Sequence, residues 1–313
     1  MLLLGCLSLT LPAGDQPAAQ ARYSRIVVFG TSLSDPGNAF ALVGGTNTPP
    51  DYLTDPFLVP SAPYARGGHH FTNGATWVEQ LARPLGLAGT VRPAFLASSG
   101  ASNYAVGAAR AYDDGVNVDL SVQVTAFLQQ FGGSAPSDAL YAIEMGGNDI
   151  RDALVAYSNG LDGGAILTAA LTSIAGHIGT LYAAGARDFL VWNAPNVGLT
   201  PAIRALDALN PGVAAFGQLL TQTFDAQLAV LLNQLSALPG IRIVRFDAYQ
   251  LLSDIVADPG GFGMTDVTTA CITPGDPPFT CQTPDQFLFW DGIHPTKATH
   301  AIIAQKIARA LAY

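Results

Sequence analysis

Charge is scarce in this chain. Asp, Glu, Lys and Arg make up 12% of its 313 residues, against 49% hydrophobic, roughly half the charged share of an ordinary globular protein. A chain this apolar buries enough surface to offset its conformational entropy, which excludes disorder. Basic residues are the rarer sign: 14 Lys and Arg stand against 23 Asp and Glu, for a net charge of −9. The chain therefore lacks the electrostatic footprint that nucleic acid requires, and none is expected as a partner. Long apolar runs are lacking too. No stretch reaches the roughly 18 uninterrupted apolar residues of a membrane span, so no stable membrane insertion is expected. The five histidines and three cysteines fall at no metal-ligand spacing, and neither metal nor cofactor is expected.

The apolar run that does exist lies at the N-terminus. Leu2 to Leu11 is followed by helix-breaking Pro12, and Ala19-Gln20-Ala21 supplies a small-x-small cleavage site before Arg22. Residues 1–21 read as a signal peptide and residues 22–313 as one domain, secreted to an extracellular or periplasmic space. The run has no Lys or Arg before it, a departure from the usual signal pattern. Leu3-Leu4-Gly5-Cys6 resembles a lipobox, which makes lipoprotein anchoring at Cys6 the alternative. Cleavage removes Cys6 and leaves Cys271 and Cys281 to pair in an oxidising compartment. They bracket Pro274, Gly275, Pro277 and Pro278, a loop with little secondary structure of its own.

Beyond residue 22 the pattern alternates. Ile26-Val27-Val28-Phe29 is a short apolar run ending at Gly30, as in a strand buried on both faces. Leu140 to Met145 and Phe189 to Trp192 read the same way. Ile241 to Phe246 is interrupted by Arg242 and Arg245, which suits an edge, and a further strand is placed in Asn103 to Val106. Helices are expected over residues 75–85, 120–131, 164–183 and 213–238, and from near Pro295 to Leu311. Strands alternating with helices imply a parallel sheet covered on both faces, with ligands bound at the strands' carboxyl ends. Residues 44–72 and 258–289 are long irregular segments, expected to serve in binding or as lids.

The strand ends carry the chemistry. Gly30-Thr31-Ser32-Leu33-Ser34-Asp35 follows the first strand, and a serine at a tight strand-to-helix turn exposes its hydroxyl beside backbone N–H donors. Taken alone, the same residues also describe a helix cap. Gly146-Gly147-Asn148-Asp149 turns sharply and brings the Asn148 amide over the sheet edge, with Asp149 as a helix cap. In Asp291-Gly292-Ile293-His294-Pro295, Pro295 keeps His294 out of the following helix. A carboxylate three residues before a histidine can orient its Nδ1–H and leave Nε2 as a base. His69, His70, His177 and His300 are expected to be structural or superficial.

Together these segments resemble the SGNH/GDSL hydrolases, in particular secreted esterase/lipase members of the phospholipase/lecithinase/hemolysin type. Gly30-Thr31-Ser32-Leu33 is similar to the GDSL block and Asn103-Tyr104-Ala105-Val106-Gly107-Ala108 to the glycine block. Gly146 to Asp149 and Phe289 to Thr296 are similar to the asparagine and terminal blocks. The resemblance implies a flavodoxin-like three-layer α/β/α sandwich on a mainly parallel five-stranded sheet. It implies a Ser32–His294–Asp291 triad, and an oxyanion hole from the Ser32 and Gly107 N–H groups plus the Asn148 side chain. The implied activity is hydrolysis of acyl, aryl or lipid esters, small molecules or lipids, through an acyl-enzyme. A carbohydrate O-acetylesterase with the same triad and a non-catalytic binding module on the same fold are the alternatives. Thr31 departs from the pattern, standing where the family usually has Asp.

Overall fold

The computed structural model describes residues 22–42, 70–96, 100–272 and 280–312. The expected signal segment, with Cys6, and most of the first long irregular segment, with His69, lie outside the described residues. Strand β1 (Arg25–Gly30) is followed by helices α1 (Asn38–Leu42), α2 (Trp77–Ala82) and α3 (Leu120–Gln130). Next come β2 (Ala139–Glu144), α4 (Gly147–Ser158), α5 (Gly163–Ala184) and β3 (Asp188–Trp192). α6 (Pro201–Leu209), α7 (Val213–Leu235), β4 (Arg242–Phe246) and α8 (Ala248–Ala257) follow. The chain closes with β5 (Asp266–Ala270), β6 (Phe287–Phe289) and α9 (Lys297–Leu311).

The strands β1-β2-β3-β4 form one sheet in that order, parallel throughout. The expected fifth strand runs beside the free edge of β1. Val28 N–H donates to Ser102 O, and the Tyr104 and Val106 N–H groups donate to Val28 O and Gly30 O. This segment is a bridge at Asn103 and not a regular strand; the Gly30 N–H, which would continue the ladder, goes to the Gln123 side chain instead. With it counted, the spatial order is the flavodoxin-like 2-1-3-4-5.

Side-chain alternation along the strands builds both layers. Val27, Phe29, Tyr141, Ile143, Phe189 and Val191 pack with Phe127 of α3, Ile174 of α5 and Phe224 of α7. Ile26, Val28, Leu140, Ala142, Leu190 and Trp192 pack on the opposite face with Trp77 of α2, Leu251 of α8 and Ile307 of α9. The result is a three-layer sandwich. β4 is the edge, as its two arginines imply; Arg242 donates to Asp188 at 3.2 Å and to the Tyr23 hydroxyl at 2.9 Å. α5 is long and apolar enough to cross a membrane by length and composition, yet it packs on α3, α4 and α7 through Leu171, Ile174, Ile178 and Leu181.

Residues 258–289 are less irregular than their composition implies, since β5 and β6 pair within them as a small parallel sheet. Cys271 and Cys281 are bonded there, with Cα atoms 5.5 Å apart, within the ordinary disulfide range. The bridge closes a segment of 10 residues, for which loop-closure entropy gives a stabilisation of about 2–3 kcal/mol. The double variant Cys271→Ser/Cys281→Ser is expected to lose no more than that in denaturant unfolding, and intact mass should rise by two hydrogens when the parent protein is reduced. An unchanged mass on reduction would leave the pair as free thiols.

Candidate active site

β1 stops at Gly30 because the next residues turn away from the sheet. Gln123 of α3 accepts the Gly30 N–H and donates to the Gly30 carbonyl, both at 2.9 Å, and so occupies the ladder positions. A Cβ at Gly30 would lie 3.0 Å from both Glu144 and Ser34, so any larger residue would have to push these two side chains aside. The turn closes from Ser34 N–H to Thr31 O at 3.1 Å. It leaves Ser32 half-buried, with its Oγ 2.7 Å from His294 Nε2.

His294 and Asp291 reach the same place on a turn between β6 and α9. The Trp290 N–H donates to His294 O at 2.8 Å. Asp291 Oδ1 accepts the N–H groups of Ile293 (3.0 Å) and His294 (2.8 Å). Its Oδ2 lies 2.9 Å from His294 Nδ1, with Asp291 fully buried and His294 nearly so. Three groups named from sequence thus form one continuous relay at the carboxyl end of the sheet. Such a relay can move a proton from a serine hydroxyl to an imidazole held in one tautomer by a carboxylate.

Two buried carboxylates, legible in the sequence only as a strand end and a possible cap, organise the surroundings. Glu144 accepts Thr31 N–H, Thr31 Oγ1–H and Ser34 Oγ–H, each at 3.0 Å, and burial pushes its carboxyl up to about 7. Ser34 Oγ in turn accepts the Trp77 indole N–H at 2.9 Å. Asp35 is also fully buried, and desolvation raises it to about 6 against four opposing backbone N–H bonds. Those donors are Gly37, Asn38 and Ala39 at the start of α1, and Gly107 at 2.8 Å.

The last of these bonds bears on the oxyanion hole expected from the sequence. Gly107 gives its N–H to Asp35 and has no second hydrogen for an oxyanion. Its glycine character answers a different need, because a Cβ there would overlap the Phe71 ring, which packs 5.3 Å from the His294 ring. The adjacent Ala108 is exposed, holds φ at +68°, and its N–H has no acceptor among the described residues; the same is true of Ser32. Asn148 donates one amide hydrogen to Ala109 O at 2.8 Å, which anchors its side chain beside this segment and leaves the second hydrogen available. Asp149 also differs from expectation. α4 begins one residue after Gly146, whose φ of +114° makes the turn, and the Asp149 carboxylate accepts Ala111 and Tyr112 N–H groups instead of capping.

Of the other described histidines, His300 and His70 have structural partners, whereas the buried His177 Nδ1 on α5 has none among the described residues. His300 is buried and accepts the Trp77 backbone N–H on Nδ1 at 3.2 Å; burial first, then the nearby His294 and His70, depress it to about 3. His70 is half-buried and paired with Glu79 at 2.9 Å.

Fold and site together describe a parallel-sheet α/β/α protein with a Ser–His–Asp relay at the carboxyl ends of its strands. Residues 26–307 match the family described as GDSL-like lipase/acylhydrolase. The chain belongs to that family. Two GDSL esterase/lipases of Arabidopsis thaliana are 27% and 28% identical to it, covering 92% and 98% of this chain and 85% and 95% of their own. A phosphatidylcholine-sterol acyltransferase of Aeromonas hydrophila is 29% identical over 86% of this chain and 70% of its own length. The family is one of lipases and acylhydrolases.

Thr31 faces a carboxyl whose proton is held more tightly in the folded state than the ordinary 4.5 allows. That group favours folding most below about pH 4.5, and its contribution falls as pH rises towards about 7. In Thr31→Asp, a protonated Glu144 can donate to the new carboxylate, whereas above about pH 7 two buried negative charges oppose each other. The variant's deficit in melting temperature relative to wild type is therefore expected to widen from pH 5 to pH 8. Thr31→Ala, which loses one hydroxyl donor, should cost about 0.5–1.5 kcal/mol and keep activity within about tenfold. A Thr31→Asp deficit that narrows with rising pH would remove Glu144 from this account.

Proposed function

We propose that the protein is a secreted serine hydrolase that cleaves carboxylic esters through an acyl-enzyme on Ser32. The observation that carries this reading is the unbroken relay of 2.7 Å and 2.9 Å from Ser32 through His294 to Asp291. His294 Nε2 takes the hydroxyl proton as Ser32 Oγ attacks the ester carbonyl. Asp291, held by two backbone N–H groups, fixes the imidazole and stabilises the imidazolium that forms. The developing oxyanion is received by the Ser32 and Ala108 N–H groups and the second Asn148 amide hydrogen. The carbonyl π electrons collapse onto that oxygen, then return to expel the alcohol, which leaves with the proton from His294. Water, deprotonated by His294, attacks the acyl-enzyme and releases the acid and free Ser32.

Export is supported by the Cys271–Cys281 bridge and by the apolar run with its cleavage site. Residues 22–313 then act as one hydrolase domain. Acyl, aryl and lipid esters are the substrate class, in keeping with relatives named esterase/lipase.

Ser32→Ala should lower kcat on a nitrophenyl ester by several orders of magnitude while the circular dichroism spectrum is retained. A fluorophosphonate should form its adduct on Ser32, and a peptide map locating it on another residue would end the assignment. Asn148→Ala should cost about 2.7–4 kcal/mol of transition-state stabilisation, read in kcat with KM little changed. A loss below about threefold would make Asn148 a tether for Ala109 only.

A further inference from the structure

A cleft of ≈ 1110 Å³ opens between α4, α6 and α7, a size at the upper end of small-molecule sites. One end of it meets the candidate catalytic groups from two sides. Ile293, in its wall, sits between Asp291 and His294, and Arg151, also in its wall, donates to Asn148 Oδ1 at 3.3 Å. The N-terminus of α6 is fastened to the same turn, since Ala202 N–H donates to Gly292 O at 2.9 Å. From there the wall runs over Ile203, Leu206 and Val155 to Phe216 and Leu209. Its hydrogen-bonding side chains are Arg151, Tyr157, Ser158 and Asn210, and no acidic residue lines it, although the chain has 23 Asp and Glu. Val155 is 59% exposed and Leu209 74%, so this apolar surface is left uncovered by the described residues. The other apolar crevice beside the relay, behind Leu33 and Phe289, holds only ≈ 60 Å³, too little for a chain.

We infer that this cleft is the acyl-chain site, and that the ester's acid part is a medium or long alkyl chain lying from Ile293 towards Phe216. The inference rests on the ester-hydrolase reading above. A largely apolar cleft whose wall includes Ile293, next to His294 in the chain, and Arg151, bonded to Asn148, suits a chain continuous with that carbonyl. The absence of carboxylates suits the fatty acid that is released.

The test measures kcat/KM on nitrophenyl esters from acetate to palmitate, and binding of decanoate by calorimetry. Wild type should gain up to about fourfold per added methylene until the cleft is filled. Val155→Asp and Leu206→Trp, one charging the wall and the other filling it, should lower the decanoate-to-acetate ratio at least tenfold and weaken decanoate binding. Val230→Asp, equally exposed on α7 at 55% but outside the cleft, should leave the ratio unchanged. Esters cleaved with the same chain-length ratio in wild type and both cleft variants would overturn the inference and spare the function. Decanoate bound in a Val155-dependent way by a protein that cleaves no ester would do the reverse. Fatty acid release from phosphatidylcholine vesicles that falls in Val155→Asp supports the chain of a membrane lipid as occupant. A fall confined to soluble esters supports the chain of a free ester.

Discussion

One buried carboxylate holds the turn on which the site depends. Glu144 ends β2 with almost no exposure and would be costly there without partners. It has three donors from Thr31 and Ser34, and through the Ser34 hydroxyl it is joined to the Trp77 indole of the opposite layer. The polypeptide between Gly30 and Asp35 thus has little freedom, and Ser32 is the residue in that turn whose side chain is left facing His294. Asp35 extends the same logic outward, tying the start of α1 and the 107–109 segment to the turn. Asp149 fastens the following residues to α4. All three acids are pushed up by burial, to about 7, 6 and 6. The region is therefore organised by acceptors whose ionisation works against their own burial, and which stay in place because several N–H and O–H groups converge on each.

The relay was legible in the sequence because its parts carry local signals. Asp291 and His294 are three residues apart ahead of a proline, and Ser32 follows an unbroken apolar strand. The long helices α3, α5, α7 and α9 were legible from their apolar spacing, and the strands from their continuous burial. α4 was not, because its first residues are the Gly-Gly-Asn-Asp motif itself, which reads as a turn and a cap. α6 and α8 are short, and α6 opens on Pro201 directly after a 3₁₀ turn, so neither stands out from loop. The cleft wall is built partly from α4 and α6, and no periodicity announced it.

Gly107 shows the limit of motif reading most directly. Its glycine and its place in the block made it the natural oxyanion donor. The acceptor that takes its N–H lies 72 residues away at Asp35, and no local pattern records that bond. Within this block Ala108 has no acceptor for its N–H among the described residues, and it holds a left-handed conformation that costs an L-residue about 1–2 kcal/mol. A glycine at position 108 would have advertised the strain in the sequence; an alanine conceals it. Strain of this kind persists only when surrounding contacts over-determine the backbone. Here those contacts are the Asp35, Asp119 and Asp149 carboxylates, which hold residues 107, 110, 111 and 112 by their N–H groups.

The division of labour within the relay follows from chain distance. Asp291 and His294 share one turn, so their 2.9 Å contact is fixed by local bonds and survives any motion that moves the turn as a unit. Ser32 is 262 residues from His294, and that single contact has to be set by the tertiary fold. An error of about 1 Å in such a distance can cost 10²-fold in rate. The buried polar bonds fall where this error would arise. Thr296 N–H and Thr299 Oγ1–H both donate to Leu288 O. Thr72 Oγ1–H donates to Pro295 O, and Trp77 N–H to His300 Nδ1. Each of these joins the His294 turn or α9 to β6, or to the segment from Thr72 to Trp77. That same segment reaches Ser34 through Trp77, so the two ends of the Ser32–His294 contact are braced by one stretch of chain.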